Sequence, residues 1–337
     1  MAERPEAVEP FLRGCAWPAA DWAPYPRCDP GPLGLRLPAD TRGQAALPVG
    51  VRLEFSGEAE AIEIDYETAT DELGYRGEGA GTGFALYRGE RRVSEARAGL
   101  GRGLARLAAG AGPAPAVVYL PEAMRPLVHG LRAIGGEIAP APRQPRWLCY
   151  GDSIAEGWLA AEPAGAWPAR VGRARGLDCT NLAYAGAARG ELASAEGLGS
   201  LPAELISVSH GTNCWTRVPH DAALFRAGLE AFLEIVREGH PQTPMVAISP
   251  VLRADAEATP NRLGVTLAEL RAAFEDAVEA RMRAGDTRLE CVPGLALLPP
   301  ERLPDGIHPD DEGHAQLARA LGPVLSGALA RAREEDP

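Results

Sequence analysis

The stretch Trp147-Leu148-Cys149-Tyr150-Gly151-Asp152-Ser153-Ile154 decides how the second half of the chain folds. Its first four residues form a continuous apolar run, which is typical of a strand buried on both faces. Such strands occur in parallel sheets whose two faces are covered by helices. The turn Gly151-Asp152-Ser153 follows directly. The stretch therefore predicts a parallel sheet, with Ser153 just beyond the carboxyl end of one of its strands.

The rest of the second half alternates between strand and helix patterns. Further strands are predicted at 180–184, 205–208, 245–248 and 288–292. Apolar residues at helical spacing predict helices over 225–236 and 267–278, and a closing helix from 314 to about 331. This alternation predicts an α/β domain with a central parallel sheet and helices on both faces.

The first half has a different pattern, in which apolar and polar residues alternate with period two. The alternation is clear at 51–55 and 62–66, and further strands are predicted at 84–87 and 117–120. We therefore expect an antiparallel β-sandwich in residues 1–140. Three prolines in 139–145 favour a linker, because proline blocks both helix and central strand. The second domain is predicted to span 146–337.

Composition narrows the range of partners. The 337-residue chain has a formal net charge of −12, and all 34 of its Lys/Arg residues are arginine. An acidic chain without a basic run argues against nucleic acid or an anionic membrane as a partner, and the absence of lysine excludes Schiff-base catalysis by a lysine side chain. We expect a small-molecule partner. The sequence does not indicate the oligomeric state.

The cysteines and the start of the chain bear on location. The six cysteines are scattered without a Cys-x-x-Cys spacing, which favours reduced thiols over disulfides or a zinc site. The first residues lack the basic and apolar segments of a secretory signal, and no apolar run is long enough to span a bilayer. We expect a cytoplasmic protein that uses no metal and no cofactor.

Four short segments carry the residues on which a function can be argued. They are 151–154, 181–186, 211–213 and 305–309. Ser153, Gly186 and Asn213 in the first three segments each follow a predicted strand, and the last segment precedes the closing helix. Catalytic groups collect at the carboxyl ends of strands in open parallel sheets. The segments are therefore expected to meet at one edge of the sheet.

Together the segments supply the parts of a serine-dependent site. Ser153 is a candidate nucleophile, and His308 is the candidate base that takes its proton. Asp305 could accept a hydrogen bond from Nδ1 and direct Nε2 at the hydroxyl. The N–H groups of Ser153 and Gly186 and the side-chain amide of Asn213 could stabilise the oxyanion that forms on an ester carbonyl.

The four segments resemble the signature blocks of the SGNH (GDSL-type) hydrolases. Gly151-Asp152-Ser153, Gly186, Gly211-Thr212-Asn213 and Asp305-Gly306-Ile307-His308-Pro309 match the blocks in order. The resemblance implies a flavodoxin-like α/β/α domain and metal-free serine esterase chemistry. The first half is similar to the β-sandwich that precedes this domain in some bacterial members. Two positions depart from the family pattern, Ala85 and Cys214, where aspartate is usual.

Structural interpretations compete with these roles. Ser153 could serve as a helix N-cap, and His308 could belong to a helix start. Asp152 is expected to be structural. Asn213 could satisfy a loop backbone instead of an oxyanion. His210, at the end of a buried strand, is an alternative base, although a structural histidine is the favoured interpretation.

Other residues near the segments allow two interpretations each. Trp158, Trp167 and Trp215 could form the walls of an acyl or sugar pocket or pack in the core. Cys214 could be a reactive thiol, although a buried apolar role is favoured. The stretch 253–261, with Arg253, Asp255 and Asn261, could form a lid or a solvated loop.

The combined expectation is a serine esterase that forms an acyl-enzyme at Ser153. By analogy with two-domain relatives, its substrate is expected to carry a short acyl group, in the first instance acetyl, on a sugar or a small natural product. Two alternatives remain open. The same site could transfer the acyl group to an alcohol, or the protein could be a non-catalytic carbohydrate-binding protein.

Overall fold

The computed structural model describes residues 7–71 and 80–335. The strands of the first half are β1 (Leu12–Arg13), β2 (Arg52–Gly57), β3 (Ala61–Thr68), β4 (Gly83–Arg88), β5 (Arg91–Arg97), β6 (Gly101–Ala108), β7 (Ala116–Tyr119), β8 (Pro126–Ile134) and β9 (Ile138–Pro140). The strands of the second half are β10 (Arg146–Gly151), β11 (Asp178–Ala183), β12 (Leu205–Ser209), β13 (Met245–Ile248) and β14 (Leu289–Val292).

The helices are concentrated in the second half. They are α1 (Ala39–Gln44), α2 (Ser153–Glu156), α3 (Trp167–Arg175), α4 (Leu192–Ser200), α5 (Thr212–Thr216), α6 (Ala222–Gly239), α7 (Leu267–Arg283) and α8 (Asp311–Glu335). Helix α8 begins at Asp311, three residues before His314, the start predicted from the sequence. Within the described ranges, none of the helices combines the length and apolar character needed to cross a membrane.

Two antiparallel sheets form the β-sandwich of the first half. One sheet has the order β1-β2-β7-β4-β5 with β9 beside β2, and the other has the order β6-β3-β8. Apolar side chains alternate along β2 and β3. The apolar side chains between the two sheets are buried, among them Phe55 on β2, Ile64 on β3 and Phe84 on β4. The predicted antiparallel β-sandwich is confirmed. It owes its core to period-two alternation, which turns every second side chain inward.

The second half is a parallel sheet between two layers of helices. Its strand order is β11-β10-β12-β13-β14, and every neighbouring pair is parallel. Helices α3 and α8 pack on one face, and α4, α6 and α7 pack on the other. The predicted α/β/α arrangement is confirmed. All five strands end at the same edge, which we call the carboxyl edge.

The segment 16–48 lies in the first half of the sequence but packs against the second. Cys28, Leu37 and Ala45 are buried in the core beneath α4 and α6, and Trp17 packs against the same cluster. The predicted division between residues 140 and 146 falls in the connection from β9 to β10. It stays a prediction, because a domain cut there would separate this segment from its packing partners.

Candidate active site

Ser153 is presented by a tight turn between β10 and α2. Strand β10 ends at Gly151, and Ser153 is the first residue of α2. The carboxylate of Asp152 caps the helix by accepting a hydrogen bond from the N–H of Ile154 at 3.0 Å. Burial raises the pKa of the Asp152 carboxyl to about 6. Asp152 therefore has the structural role expected for it, and the serine hydroxyl is left free to act.

A continuous hydrogen-bond chain joins Ser153, His308 and Asp305. The hydroxyl of Ser153 lies 2.8 Å from Nε2 of His308, although the two residues are 155 positions apart. Nδ1 of His308 lies 2.6 Å from Oδ2 of Asp305. The other carboxylate oxygen accepts the N–H groups of Ile307 at 2.9 Å and His308 at 2.7 Å. Gly306 has a φ of +81°, which lets the turn close around the carboxylate.

The electrostatics of Asp305 favour one tautomer of His308. Partial burial alone would raise the pKa of the Asp305 carboxyl, but the hydrogen bonds from His308 and the two backbone N–H groups outweigh burial and lower it. The carboxylate is therefore ionised at neutral pH and holds the proton on Nδ1. The lone pair of Nε2 is left facing the hydroxyl of Ser153, which is the arrangement a general base requires.

Trp158 and His314 hold the base from a second side. The indole of Trp158 stacks on the imidazole of His308, with ring centroids 4.8 Å apart and planes inclined by 22°. The carbonyl of Trp158 lies 2.8 Å from Nε2 of His314, and Nδ1 of His314 accepts the N–H of Trp167 at 3.4 Å. Burial lowers the pKa of His314 to about 4, so this histidine is neutral and donates from Nε2. From the sequence, His314 was predicted only as the first residue of the closing helix.

Three donors are available beside the hydroxyl. Among residues 7–71 and 80–335, the backbone N–H groups of Ser153 and Gly186 have no hydrogen-bond acceptor. The amide of Asn213 donates one N–H to the carbonyl of Ala188 at 3.1 Å, which leaves its second N–H for the pocket that it lines. Asn213 therefore satisfies a loop carbonyl, and its role as an oxyanion donor stays a prediction. Gly186 has a φ of +66°, a backbone conformation that favours glycine.

A buried ion pair supports the loop that carries Gly186. No pattern in the sequence predicted this ion pair. Glu156, on the same short helix as Ser153, accepts the N–H of Ala185 at 2.9 Å and an N–H of Arg27 at 3.3 Å. Arg27 also donates to the carbonyl of Ala183. Burial raises the pKa of Glu156, and the charge of Arg27 opposes that shift. The pair fixes α2 and the loop that carries Gly186 relative to each other.

The hydroxyl of Ser153, the base His308 and the candidate donors Gly186 and Asn213 line one open pocket of about 310 Å³ at the carboxyl edge. Besides Ser153, Trp158, Gly186, Asn213 and His308, the lining includes Thr212, Thr216, Arg217, Arg253 and Ile307. The structure therefore brings together the members of the candidate triad and the candidate oxyanion donors. Their catalytic roles stay predictions.

The three tryptophans named from the sequence differ in position. Trp158 lines the pocket. Trp167 is 2% exposed and packs on Trp147 in the core, with ring centroids 5.7 Å apart, so its interpretation as a pocket wall is corrected to core packing. Trp215 donates from Nε1 to the carbonyl of Thr259 at 3.0 Å and lies beneath the guanidinium of Arg253. Trp215 thus reaches the pocket through Arg253.

His210 and Cys214 have structural surroundings. The imidazole of His210 is enclosed by aromatic rings, with those of Phe232 and Phe274 5.8 and 5.9 Å away, and burial lowers its pKa to about 3. It is therefore neutral at working pH. Cys214 is fully buried, and burial raises the pKa of its thiol, which disfavours the reactive thiolate.

The stretch 253–261 is an ordered loop. The guanidinium of Arg253 donates to both carboxylate oxygens of Asp255, at 2.9 and 3.1 Å, and to the hydroxyl of Thr216 at 2.5 Å. Asn261 donates from its side chain to the carbonyl of His220 at 2.9 Å. Of this loop, Arg253 lines the pocket, which neither the lid nor the solvated-loop interpretation predicted.

Comparison with known proteins agrees with this geometry. Residues 149–316, which contain all four segments, match the GDSL-like lipase/acylhydrolase family. No curated protein sequence matches the chain. Among solved structures, the chain is similar to the salicylyl-acyltransferase SsfX3 from a tetracycline biosynthetic pathway. The two are 26% identical with a TM-score of 0.80, over 95% of this chain and 94% of that one.

Two more distant structures share the fold. A protein from Bacteroides ovatus, described as a candidate GDSL-like lipase, is 20% identical with a TM-score of 0.76, over 95% of this chain and 96% of that one. The acetyl xylan esterase Est2A from the rumen bacterium Butyrivibrio proteoclasticus is 14% identical with a TM-score of 0.60, over 97% of this chain and 100% of that one. In both cases the similarity includes the β-sandwich as well as the parallel sheet.

Proposed function

Because the chain belongs to the GDSL-like lipase/acylhydrolase family and is an SGNH-type ester hydrolase, we propose that it cleaves its ester through a covalent acyl-enzyme at Ser153. The observation that carries this proposal is the hydrogen-bond chain from Asp305 through His308 to Ser153, with distances of 2.6 and 2.8 Å. This series of hydrogen bonds ends beside the backbone N–H groups of Ser153 and Gly186, which have no acceptor in the described part of the molecule.

The first half of the proposed reaction forms the acyl-enzyme. The oxygen of Ser153 attacks the ester carbonyl carbon while Nε2 of His308 takes the hydroxyl proton. The carbonyl electron pair moves onto oxygen, where the N–H groups of Ser153, Gly186 and Asn213 stabilise it. When the pair returns, the bond to the alkoxy oxygen breaks, and His308 gives its proton to the leaving alcohol. Asp305 stabilises the imidazolium throughout.

The second half releases the acyl group. Water attacks the carbonyl carbon of the acyl-enzyme while His308 takes one of its protons. The tetrahedral oxyanion forms again at the same donors. When it collapses, the bond to Ser153 breaks, the serine oxygen recovers the proton from His308, and the carboxylic acid leaves. The starting state of the site is thereby restored.

The substrate that fits best is a short acyl ester of a polar alcohol, in the first instance an acetyl group on a sugar or a small natural product. The pocket of about 310 Å³ is small, and its lining combines threonine hydroxyls and arginine side chains with the ring of Trp158. Such a lining favours small polar molecules over long acyl chains. We also propose a cytoplasmic location, which the six free cysteine thiols support.

Acyl transfer is a second candidate for the same site. It is favoured by the similarity to a salicylyl-acyltransferase, which extends over 95% of this chain and includes both halves. Product analysis with a competing alcohol separates the two reactions, because a transferase forms the new ester faster than the free acid. A non-catalytic carbohydrate-binding role is disfavoured by the intact hydrogen-bond chain from Asp305 to Ser153.

The proposal is tested with p-nitrophenyl esters from acetate to long acyl chains. The wild type is expected to release nitrophenol fastest from the short esters. Ser153→Ala is expected to lower kcat by about 10⁶-fold, as in other serine hydrolases that lose the nucleophile. Ser326→Ala, on helix α8, is the matched control and should retain the wild-type rate. A Ser153→Ala variant with wild-type turnover would exclude the acyl-enzyme.

A further inference from the structure

We propose that the pocket binds an anionic group of the substrate on Arg217, so that the preferred ester carries a carboxylate or phosphate close to the reacting carbonyl. The inference rests on the proposed function and specifies its substrate class. It follows from the charges around the pocket, from the partners of its two arginines and from the position of Arg217 beside Gly186.

The lining of the pocket carries arginine side chains, although the protein is negative as a whole. The formal net charge of the chain is −12, yet the described residues that line the pocket include two arginines and neither aspartate nor glutamate. The carboxylate of Asp305, the third member of the candidate triad, is engaged by the imidazole of His308 and by two backbone N–H groups. A local charge opposite to that of the whole molecule attracts ligands of the other sign.

The two arginines have different partners. The charge of Arg253 is balanced by Asp255, to which it donates two hydrogen bonds at 2.9 and 3.1 Å, and its guanidinium lies over the ring of Trp215. Arg253 is thus committed to the wall of the pocket. Arg217 is exposed and, throughout the described ranges, has neither a carboxylate partner nor a hydrogen-bond acceptor for its side chain. Its donors are free for a ligand.

Arg217 also lies where a substrate group would reach it. A Cβ atom built on Gly186 would lie 3.4 to 3.6 Å from three atoms of the Arg217 guanidinium, so the guanidinium packs directly against this glycine. The N–H of Gly186 is one of the proposed oxyanion donors. An ester whose carbonyl oxygen is bound there therefore places its neighbouring substituents beside Arg217.

The chemistry of the guanidinium selects the ligand class. Its planar fork of N–H donors matches the oxygen pairs of carboxylate and phosphate, and charge-assisted hydrogen bonds of this kind are stronger than neutral ones. The anionic group can belong to the acyl part or to the alcohol part of the ester. The experiment therefore uses a charged and a neutral ester for each case.

The acyl side is tested with 4-nitrophenyl hemiglutarate against its methyl ester. The alcohol side is tested with 4-acetoxybenzoate against its methyl ester. Comparison of 4-acetoxyphenyl phosphate with its dimethyl ester extends this side to phosphate. The wild type is expected to prefer the charged member of at least one comparison by about 10- to 100-fold in kcat/KM. The side on which the preference appears identifies the part of the ester that carries the charge.

Arg217→Gln is expected to abolish that preference, because it should lower kcat/KM for the charged esters by about 10- to 100-fold more than for their neutral counterparts. Arg226→Gln is the matched control, since this arginine is exposed on α6 and pairs with Glu230. It should retain the full preference. Raising the salt concentration should reduce the preference in the wild type, because the pocket is open to solvent.

Two results would overturn the inference while leaving the proposed function intact. One is a wild type that cleaves the neutral esters as efficiently as the charged ones. The other is an Arg217→Gln variant that slows both members of each comparison equally, which would assign Arg217 to the oxyanion instead. If the wild type cleaves none of these esters and no p-nitrophenyl ester, the proposed function fails and the inference fails with it.

Discussion

Strand β11 has a buried arginine from the first half of the chain at each of its ends, and the two ends differ in what the arginine supports. At the amino end, Arg52 binds the carboxylate of Asp178 at 2.8 Å and the carbonyl of Cys179 at 2.9 Å. At the carboxyl end, Arg27 donates to the carbonyl of Ala183. Both guanidiniums are almost fully excluded from solvent.

The two ends of β11 connect to different parts of the molecule. The amino end leads back to α3, and within residues 7–71 and 80–335 the hydrogen bonds of Arg52 reach no group of the candidate site. The carboxyl end leads within three residues to Gly186, and Arg27 also binds Glu156 on the helix that begins with Ser153. The two arginines are buried to a similar degree, but they have different roles. Arg52 joins the two halves of the molecule, and Arg27 also positions the site.

Apart from the loss of Ser153 itself, the largest effect is expected from a group at the carboxyl edge that acts on the base directly. Asp305→Asn should lower kcat by about 10⁴-fold with little change in KM, because the carboxylate holds the proton on Nδ1 of His308. Steady-state kinetics on p-nitrophenyl acetate measure the loss. Asp221→Asn is the control, since asparagine also caps a helix well and Asp221 caps α6. Near-wild-type turnover would mean that His308 is oriented by another group.

Arg27→Met and Arg52→Met test the two ends of β11 against each other. Each should lower the free energy of unfolding by about 3–5 kcal/mol, because it leaves a buried carboxylate without its partner. Only Arg27→Met should also lower kcat, by up to about 10²-fold, since small displacements of reacting groups are costly. Urea unfolding and kinetics on the folded protein separate the two quantities.

Equal kcat losses in the two variants, or none in either, would refute the distinction between the two ends. If Arg27→Met does not fold, Glu156→Gln makes the same test with a milder change. The amide oxygen of glutamine can still accept the N–H of Ala185, while the charge that pairs with Arg27 is removed.

The smallest effect concerns His210, which follows β12 at the carboxyl edge without reaching the pocket. Its pKa is about 3 in the folded protein and about 6.5 in an unfolded chain, so below pH 6.5 the unfolded chain binds a proton that the folded protein does not. The folded state should therefore lose about 1.4 kcal/mol per pH unit as pH falls from 6.5 towards 4.

Urea unfolding at pH 7.5 and pH 5 measures this dependence, and His210→Gln removes it. The difference between wild type and variant isolates His210 from other titrating groups such as Asp152. An identical pH dependence in the two proteins would mean that the pKa of His210 is the same in the folded protein and in the unfolded chain, so that burial does not lower it.

The fold could be predicted where the hydrophobic pattern is local. The alternation in β2 and β3 and the apolar runs of β10, β12 and β13 were enough to indicate a β-sandwich followed by a parallel sheet. Strands β5 and β6 were missed, because many of their residues are exposed and few apolar side chains mark their period. Helices α3 and α4 were missed because they are short and rich in small or charged residues.

The convergence of Ser153 and His308 could also be predicted, because parallel strands bring distant loops to one edge. The supporting residues could not. Arg27 and His314 act through contacts with segments more than 100 residues away, and no local pattern records such contacts. One signal was available, since Glu156 is a charged residue three positions after Ser153 in a predominantly apolar surrounding.

Trp158 and Asp305 hold the imidazole of His308 on its face and at Nδ1, so the ring is kept from turning over. The nitrogen that takes the proton of Ser153 must then be the one that returns it. In the proposed reaction, the departing alcohol stands next to Nε2, and the molecule that ends the cycle must later occupy the same position. Water and an acceptor alcohol thus compete for the single position beside Nε2 that the departing alcohol leaves. The ratio of hydrolysis to transfer depends on which of the two occupies it first.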